Sequence, residues 1–198
     1  MKDYTLKYGK GSVTFALDEA HVTELYGTPV PKIGDIRAAL YATLSSPVSH
    51  EPLESWVNPG DRVALIVSDM SRFWMRQDLV VPHIISYLTD KCDVNQNNIT
   101  IIIANGTHPG GHENELRTLV TDGVYDRIRV VNHDCQAKDL VYIGTTSLGT
   151  EVRINPIAAN ADKVIMLGAC TYHVMAGYGG GRKSILPGIS GLETIRQN

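Results

Sequence analysis

The chain has 198 residues, 43% of them hydrophobic and 20% charged, with a formal net charge of −3. A chain of that length buries roughly 70% of the surface it exposes when unfolded, so the fold needs no disulfide or metal staple. The near-neutral balance excludes a global field that would recruit nucleic acid or an anionic membrane, and any anion site must be a local cluster of basic groups. The three cysteines, Cys92, Cys135 and Cys170, are scattered and form no CxxC pair, which argues against a disulfide framework or a cysteine-rich zinc site and fits a reducing compartment. Cys170 reads best as a small buried hydrophobe. No stretch has the length of a signal core or a membrane span, so a cytoplasmic protein is expected.

In chain order, Tyr4–Tyr8 and Ser12–Leu17 flank Gly-Lys-Gly and predict an N-terminal β-hairpin. Ile33–Ser45 has helical spacing through Ile36, Ala39, Leu40 and Leu44, with Asp35 placed to start it. The three prolines of Ser46–Gly60 mark a connection. Apolar runs at Arg62–Val67 and Ile99–Ala104 predict buried strands, with a helix at Leu79–Lys91 between them that tolerates Pro82 in its first turn. A helix at Glu113–Thr121 and a strand at Ile128–Asn132 follow. Leu140–Gly144 and Glu151–Ile154 pair as a hairpin, Pro156–Ala161 starts a helix, and Lys163–Gly168 is a last buried strand. The alternation predicts one Rossmann-like α/β domain over 1–198, with a largely parallel or mixed sheet and helices on both faces.

Polar residues gather where three of these strands end: Ser68-Asp69-Met70-Ser71-Arg72, Asn105-Gly106-Thr107-His108, and the segment Thr171–Gly188, with four glycines between His173 and Lys183. Ligands of open α/β sheets bind outside the carboxyl ends of the strands. If the three strands are parallel, Asp69, Arg72, His108, His173 and Lys183 face one cleft. Glycines at 179, 180 and 181, with Arg182 and Ser184, can form a backbone anion nest beside a lysine able to hold a phosphate or act as a nucleophile. Each residue also has a plainer role: Asp69 and Ser71 as turn caps, Arg72 as a surface charge, His108 as a solvated loop histidine. The other five histidines read as structural or surface residues. Gly177-Tyr-Gly-Gly-Gly-Arg-Lys183-Ser184 misses the P-loop pattern at Arg182, and Pro187-Gly188 follows too soon for the required helix.

Asp-Met-Ser-Arg, Asn-Gly-Thr-His and His-Val-Met-Ala-Gly-Tyr-Gly-Gly-Gly-Arg-Lys-Ser-Ile-Leu-Pro-Gly-Ile, in this order from about residue 10 to the end, resemble the N-terminal domain of the nickel-pincer lactate racemase family. The resemblance implies a racemase or epimerase of 2-hydroxy acids. It implies a nickel-pincer nucleotide (a nickel pyridinium-3,5-bisthiocarboxylic acid mononucleotide) joined covalently to Lys183. It also implies His108 and His173 as acid/base catalysts, Arg72 on the substrate carboxylate, and Asp69, Gly179, Gly180, Gly181, Arg182 and Ser184 around the cofactor. No metal ligand is assigned within the chain. The nickel-binding histidine and a second, cleft-closing domain are expected beyond Asn198, so that this half alone would be inactive.

Two departures from the family pattern, Phe73-Trp74-Met75-Arg76 after Arg72 and Pro109-Gly110-Gly111 after His108, border the substrate side and imply a different or larger hydroxy acid. The alternatives are a non-catalytic phosphate- or nucleotide-binding module built on the glycine loop, and an interaction domain.

Overall fold

The computed structural model describes residues 1–198, which divide into two compact units, Met1–Gly34 and Asp35–Asn198. In the first, β1 (Lys2–Tyr8) and β2 (Gly11–Leu17) form an antiparallel hairpin. Its register sets Tyr4 opposite Phe15 and Leu6 opposite Val13 on one face, and Thr5 opposite Thr14 on the other, where the two hydroxyls bond at 2.8 Å.

The second unit begins with α1 (Ile36–Ser45), whose Asp35 cap accepts the Ala38 N–H at 2.9 Å. The proline-rich connection carries one short helix, α2 (Leu53–Trp56). Then come β3 (Val63–Ser68), α3 (Val81–Asp90), β4 (Ile99–Ala104), α4 (Glu113–Val120), α5 (Asp122–Tyr125) and β5 (Arg129–Asn132). A bulged hairpin of β6 (Val141–Thr145) and β7 (Glu151–Ile154) leads through α6 (Pro156–Ala159) to β8 (Lys163–Met166). The chain finishes with β9 (Tyr172–His173), β10 (Gly177–Tyr178) and α7 (Leu192–Gln197).

The central sheet is parallel throughout, in the order β5-β4-β3-β8. Counted among its own strands this is 3-2-1-4, the order of a Rossmann half, in which the connections diverge between the first and fourth strands. Alternation along β3 and β4 sends Val63, Leu65, Val67, Ile99, Ile101 and Ile103 to a large core under α3, α4 and α5. Ala64, Ile66 and Ile102 face a smaller core with Ile154, Ala158 and Ile189. Both faces are covered as expected, but unequally. No helix is long and apolar enough to cross a membrane.

Three expectations need correction. β8 stops at Met166 and is an edge strand, half-buried with Met166 exposed, because β3 is its only neighbour. Cys170 is exposed, since the chain has already left the sheet there, whereas Cys92 and Cys135 are buried. The segment after β8, read as a loop, contains the antiparallel pair β9–β10, with His173 opposite Gly177 and Tyr172 opposite Tyr178.

Candidate active site

β8 pairs with β3 only as far as Ile66 opposite Met166, and Leu167 N–H donates to Ile66 O at 2.9 Å before the chain diverges. Ser68, two residues on and turned to the same side, would be left with orphaned backbone groups. The buried side chain of Gln77 takes both: its Nε2 donates to Ser68 O at 2.9 Å and its Oε1 accepts Ser68 N–H at 3.2 Å. The crevice between the diverging strands is a cleft of about 210 Å³. Asp69, Arg72, His108, His173, Gly179, Gly180, Lys183 and Ser184 all line it, whereas Gly181 and Arg182 lie outside it and are exposed.

Asp69 has two roles, one for each carboxylate oxygen. Oδ1 caps the 3-10 turn Met70–Met75, accepting Ser71 N–H at 3.2 Å and Ser71 Oγ–H at 2.6 Å. Oδ2 lies 2.5 Å from His108 Nδ1. The plain reading of Asp69 as a cap and the functional one are therefore both realised. An ionised carboxylate only accepts, so His108 carries its proton on Nδ1 and Nε2 keeps a lone pair. His108 itself is set by a turn at the end of β4, where its N–H donates to Asn105 O at 2.9 Å. Asn105 is buried and its Nδ2 reaches Asn132 Oδ1 at 3.1 Å and His133 O at 3.0 Å, locking this turn to the end of β5.

His173 is held differently. Its Nδ1 accepts the backbone N–H groups of Met175 and Ala176, at 3.2 and 3.1 Å, inside the β9–β10 turn. That nitrogen must be unprotonated, so the proton sits on Nε2, which is left to donate.

The lysine-bearing segment is packed closely. Gly180 has φ +69°, and a Cβ there would sit 2.7 Å from Ala169 O. A Cβ on Gly188 would lie 2.2 Å from Ser184 O. Gly106 N–H donates to Gly188 O at 2.9 Å, tying this segment to the end of β4. Beneath it, buried His133 donates through Nε2 to Ser190 O at 3.0 Å and accepts from Asn155 Nδ2 at 3.3 Å. Burial pushes this imidazole below its ordinary pKa, outweighing the bond to Ser190. Among the three glycines proposed as amide donors, Gly179 already donates its N–H to Thr171 O at 2.7 Å, so that amide is occupied within the hairpin.

Lys183 is half-buried in the cleft. Desolvation lowers its pKa below the usual lysine value, the nearby Arg72 charge lowers it further, and Asp69 opposes both. The neutral, nucleophilic amine is thereby more populated than on a surface lysine. Sequence reasoning missed Gln77, Asn105, Tyr172 and the His133–Asn155–Ser190 support. Only Asn105, in an Asn-Gly pair after a strand, carried any local signal.

A family model described as the lactate racemase N-terminal domain matches residues 8–198. The lactate racemase of Thermoanaerobacterium thermosaccharolyticum is 26% identical over 206 residues, covering 100% of this chain and 47% of that protein. The lactate racemase of Lactiplantibacillus plantarum is 28% identical over 198 residues, covering 98% and 46%. The solved apoprotein of the Thermoanaerobacterium enzyme superposes with a TM-score of 0.84 at 25% identity, over 98% of this chain and 45% of that one. The chain thus spans about half the length of the curated relatives it matches.

Proposed function

The chain belongs to the lactate racemase N-terminal domain family, and from that premise we propose that it is the cofactor-anchoring, proton-transferring half of a 2-hydroxy acid racemase or epimerase. The observation that carries the reading is the convergence of a fork-shaped cation, two imidazoles and a desolvated amine on one cleft at the divergence point of a parallel sheet. A pure anion nest has no use for two differently held histidines.

The residues present fit the nickel-pincer nucleotide. Gly180 lets the cleft wall pack against Ala169, which seats the segment that carries Lys183, and Lys183 offers an amine suited to a covalent link with the thiocarboxyl group of the nucleotide. Bound there, the group would accept a hydride from C2 of the substrate and return it. In this reading the nickel-ligating histidine and the second wall of the cleft belong to the other half of a longer protein, and this half alone does not turn over.

The work of this chain is to bind, orient and move protons. Arg72, kept in place by its N–H to Asp69 O at 3.0 Å, presents a planar fork to the substrate carboxylate. His108 Nε2 takes the hydroxyl proton as hydride leaves, and the imidazolium that forms faces the Asp69 carboxylate. For the mirror-image substrate His173 takes the same part. It does so only when its proton moves to Nδ1, which requires the turn to release the Met175 and Ala176 amides.

The test is mass spectrometry of the longer protein made together with the cofactor-synthesis enzymes. An adduct on Lys183, lost in Lys183→Arg, is the expected result. An unmodified Lys183 in a fully active protein would refute the assignment. On the 198-residue chain itself, a limiting acylating reagent should modify Lys183 at lower pH than it modifies surface lysines.

A further inference from the structure

Large apolar side chains line the cleft beside its charged groups. Trp74 and Met75 line it, two and three residues beyond Arg72 on the same turn, and Tyr172 lines it from the β9–β10 hairpin. We propose that these three side chains form a side-chain pocket selecting a 2-hydroxy acid with an aromatic or branched aliphatic substituent, rather than the methyl group of lactate. The inference rests on the hydroxy-acid reading and names the substrate class of that same site.

The wall is built rather than loose. The turn carrying Trp74 and Met75 ends at Arg76, in the left-handed region with φ 53°. Its N–H donates to Phe73 O at 2.9 Å and its guanidinium lies 5.8 Å from the centre of the Phe73 ring. Arg76 then forks onto Asp78 through Nε at 2.9 Å and a terminal nitrogen at 2.8 Å. The Gln77 clamp on Ser68 fixes the same turn to the end of β3.

On the β9–β10 hairpin, Tyr172 is braced by Tyr178, with ring centres 5.3 Å apart. Trp74 is 59% exposed and Tyr172 87% exposed, so both hold apolar surface that a ligand can remove from water. A methyl group would cover little of it. Val174 and Met175, at the hairpin tip, are as exposed but do not line the cleft. The large apolar side chains of the lining are therefore Trp74, Met75 and Tyr172, in the same cleft as Arg72, while its other apolar residues, Ala104, Ala169 and Pro187, are small. Apolar pockets discriminate by about 10–200-fold for one methylene, so a ring against a methyl group should be separated by at least about tenfold.

The experiment titrates the 198-residue chain and the cofactor-loaded longer protein with 3-phenyllactate and with lactate. Binding is read by saturation-transfer NMR and by tryptophan fluorescence. The expected result is at least about tenfold tighter binding of 3-phenyllactate. Most of that preference should vanish in Trp74→Ala, an exposed position whose change leaves the core untouched, or in Tyr172→Ala, while Arg72→Lys weakens both acids. Equal affinities, a preference for lactate, or a preference that survives both aromatic substitutions overturns the pocket and leaves the hydroxy-acid reading standing. Binding of neither acid by either protein overturns both.

Discussion

The two histidines of the cleft stand on opposite kinds of support. His108 sits on a turn locked to the sheet and gives its Nδ1 proton to a carboxylate. His173 sits on a two-residue strand and receives two backbone N–H groups at Nδ1. A ring nitrogen that donates leaves the other nitrogen as the acceptor, whereas one that accepts leaves the other as the donor. Equal residue types can thus be set for unequal work. The flank resting on a side chain is ready to take a proton, and the flank resting on main chain must move first.

The largest effect expected comes from deleting either ring. In the loaded longer protein, His108→Ala and His173→Ala should each lower turnover by about 10²–10⁴. A loss of turnover in only one of them would reduce the comparison to a single base. Next, Asp69→Asn should lower turnover less than deletion of the ring, because an amide can hold the ring in the wrong tautomer but leaves it in place. For enantiomers of equal free energy, kcat/KM must fall equally in both directions. The asymmetry between the flanks must therefore appear in kcat and KM separately, and identical changes in both directions would contradict it.

Smaller effects fall on stability. Gly188→Ala, with its Cβ against backbone, should cost about 3 kcal/mol. Gly181→Ala, at φ +51° but with open space, should cost about 1 kcal/mol. Urea midpoints of the 198-residue chain would rank them.

His133 adds a pH dependence. Its folded pKa is lowered, so the unfolded chain binds more protons as pH drops below the ordinary histidine value of about 6.5. Stability should be full above that value and decline as the pH falls below it, with a flatter profile in His133→Gln. The gentlest measurement perturbs nothing: long-range ¹H–¹⁵N spectra should place the proton of His108 on Nδ1 and that of His173 on Nε2. The same tautomer at both positions would dissolve the comparison.

Much of this arrangement is legible in the sequence. Short apolar runs located β3 and β4, and the alternation of strands with amphipathic helices located β5, α3 and α4, to within a few residues, because strands buried on both faces read as continuous apolar stretches and helices buried on one face do not. Asp69, Arg72, His108, His173 and Lys183 were recognisable because they follow strand ends. β9–β10 was not recognisable: two-residue strands carry no periodicity, and their pairing is set by main-chain bonds such as Gly179 N–H to Thr171 O. The short edge strand β8 was overextended for a related reason, since apolar character alone does not say where a neighbour ends.

The order of side chains along the polymer determined which chemical groups are available and which strands carry them, since local patterning depends only on near neighbours. The folded arrangement decided the rest. Gln77 terminates β3, Asp69 divides its oxygens between a cap and His108, and the backbone fixes the proton of His173. These are relations between groups at distances and angles that hydrogen bonding tests only in three dimensions, so no linear pattern encodes them.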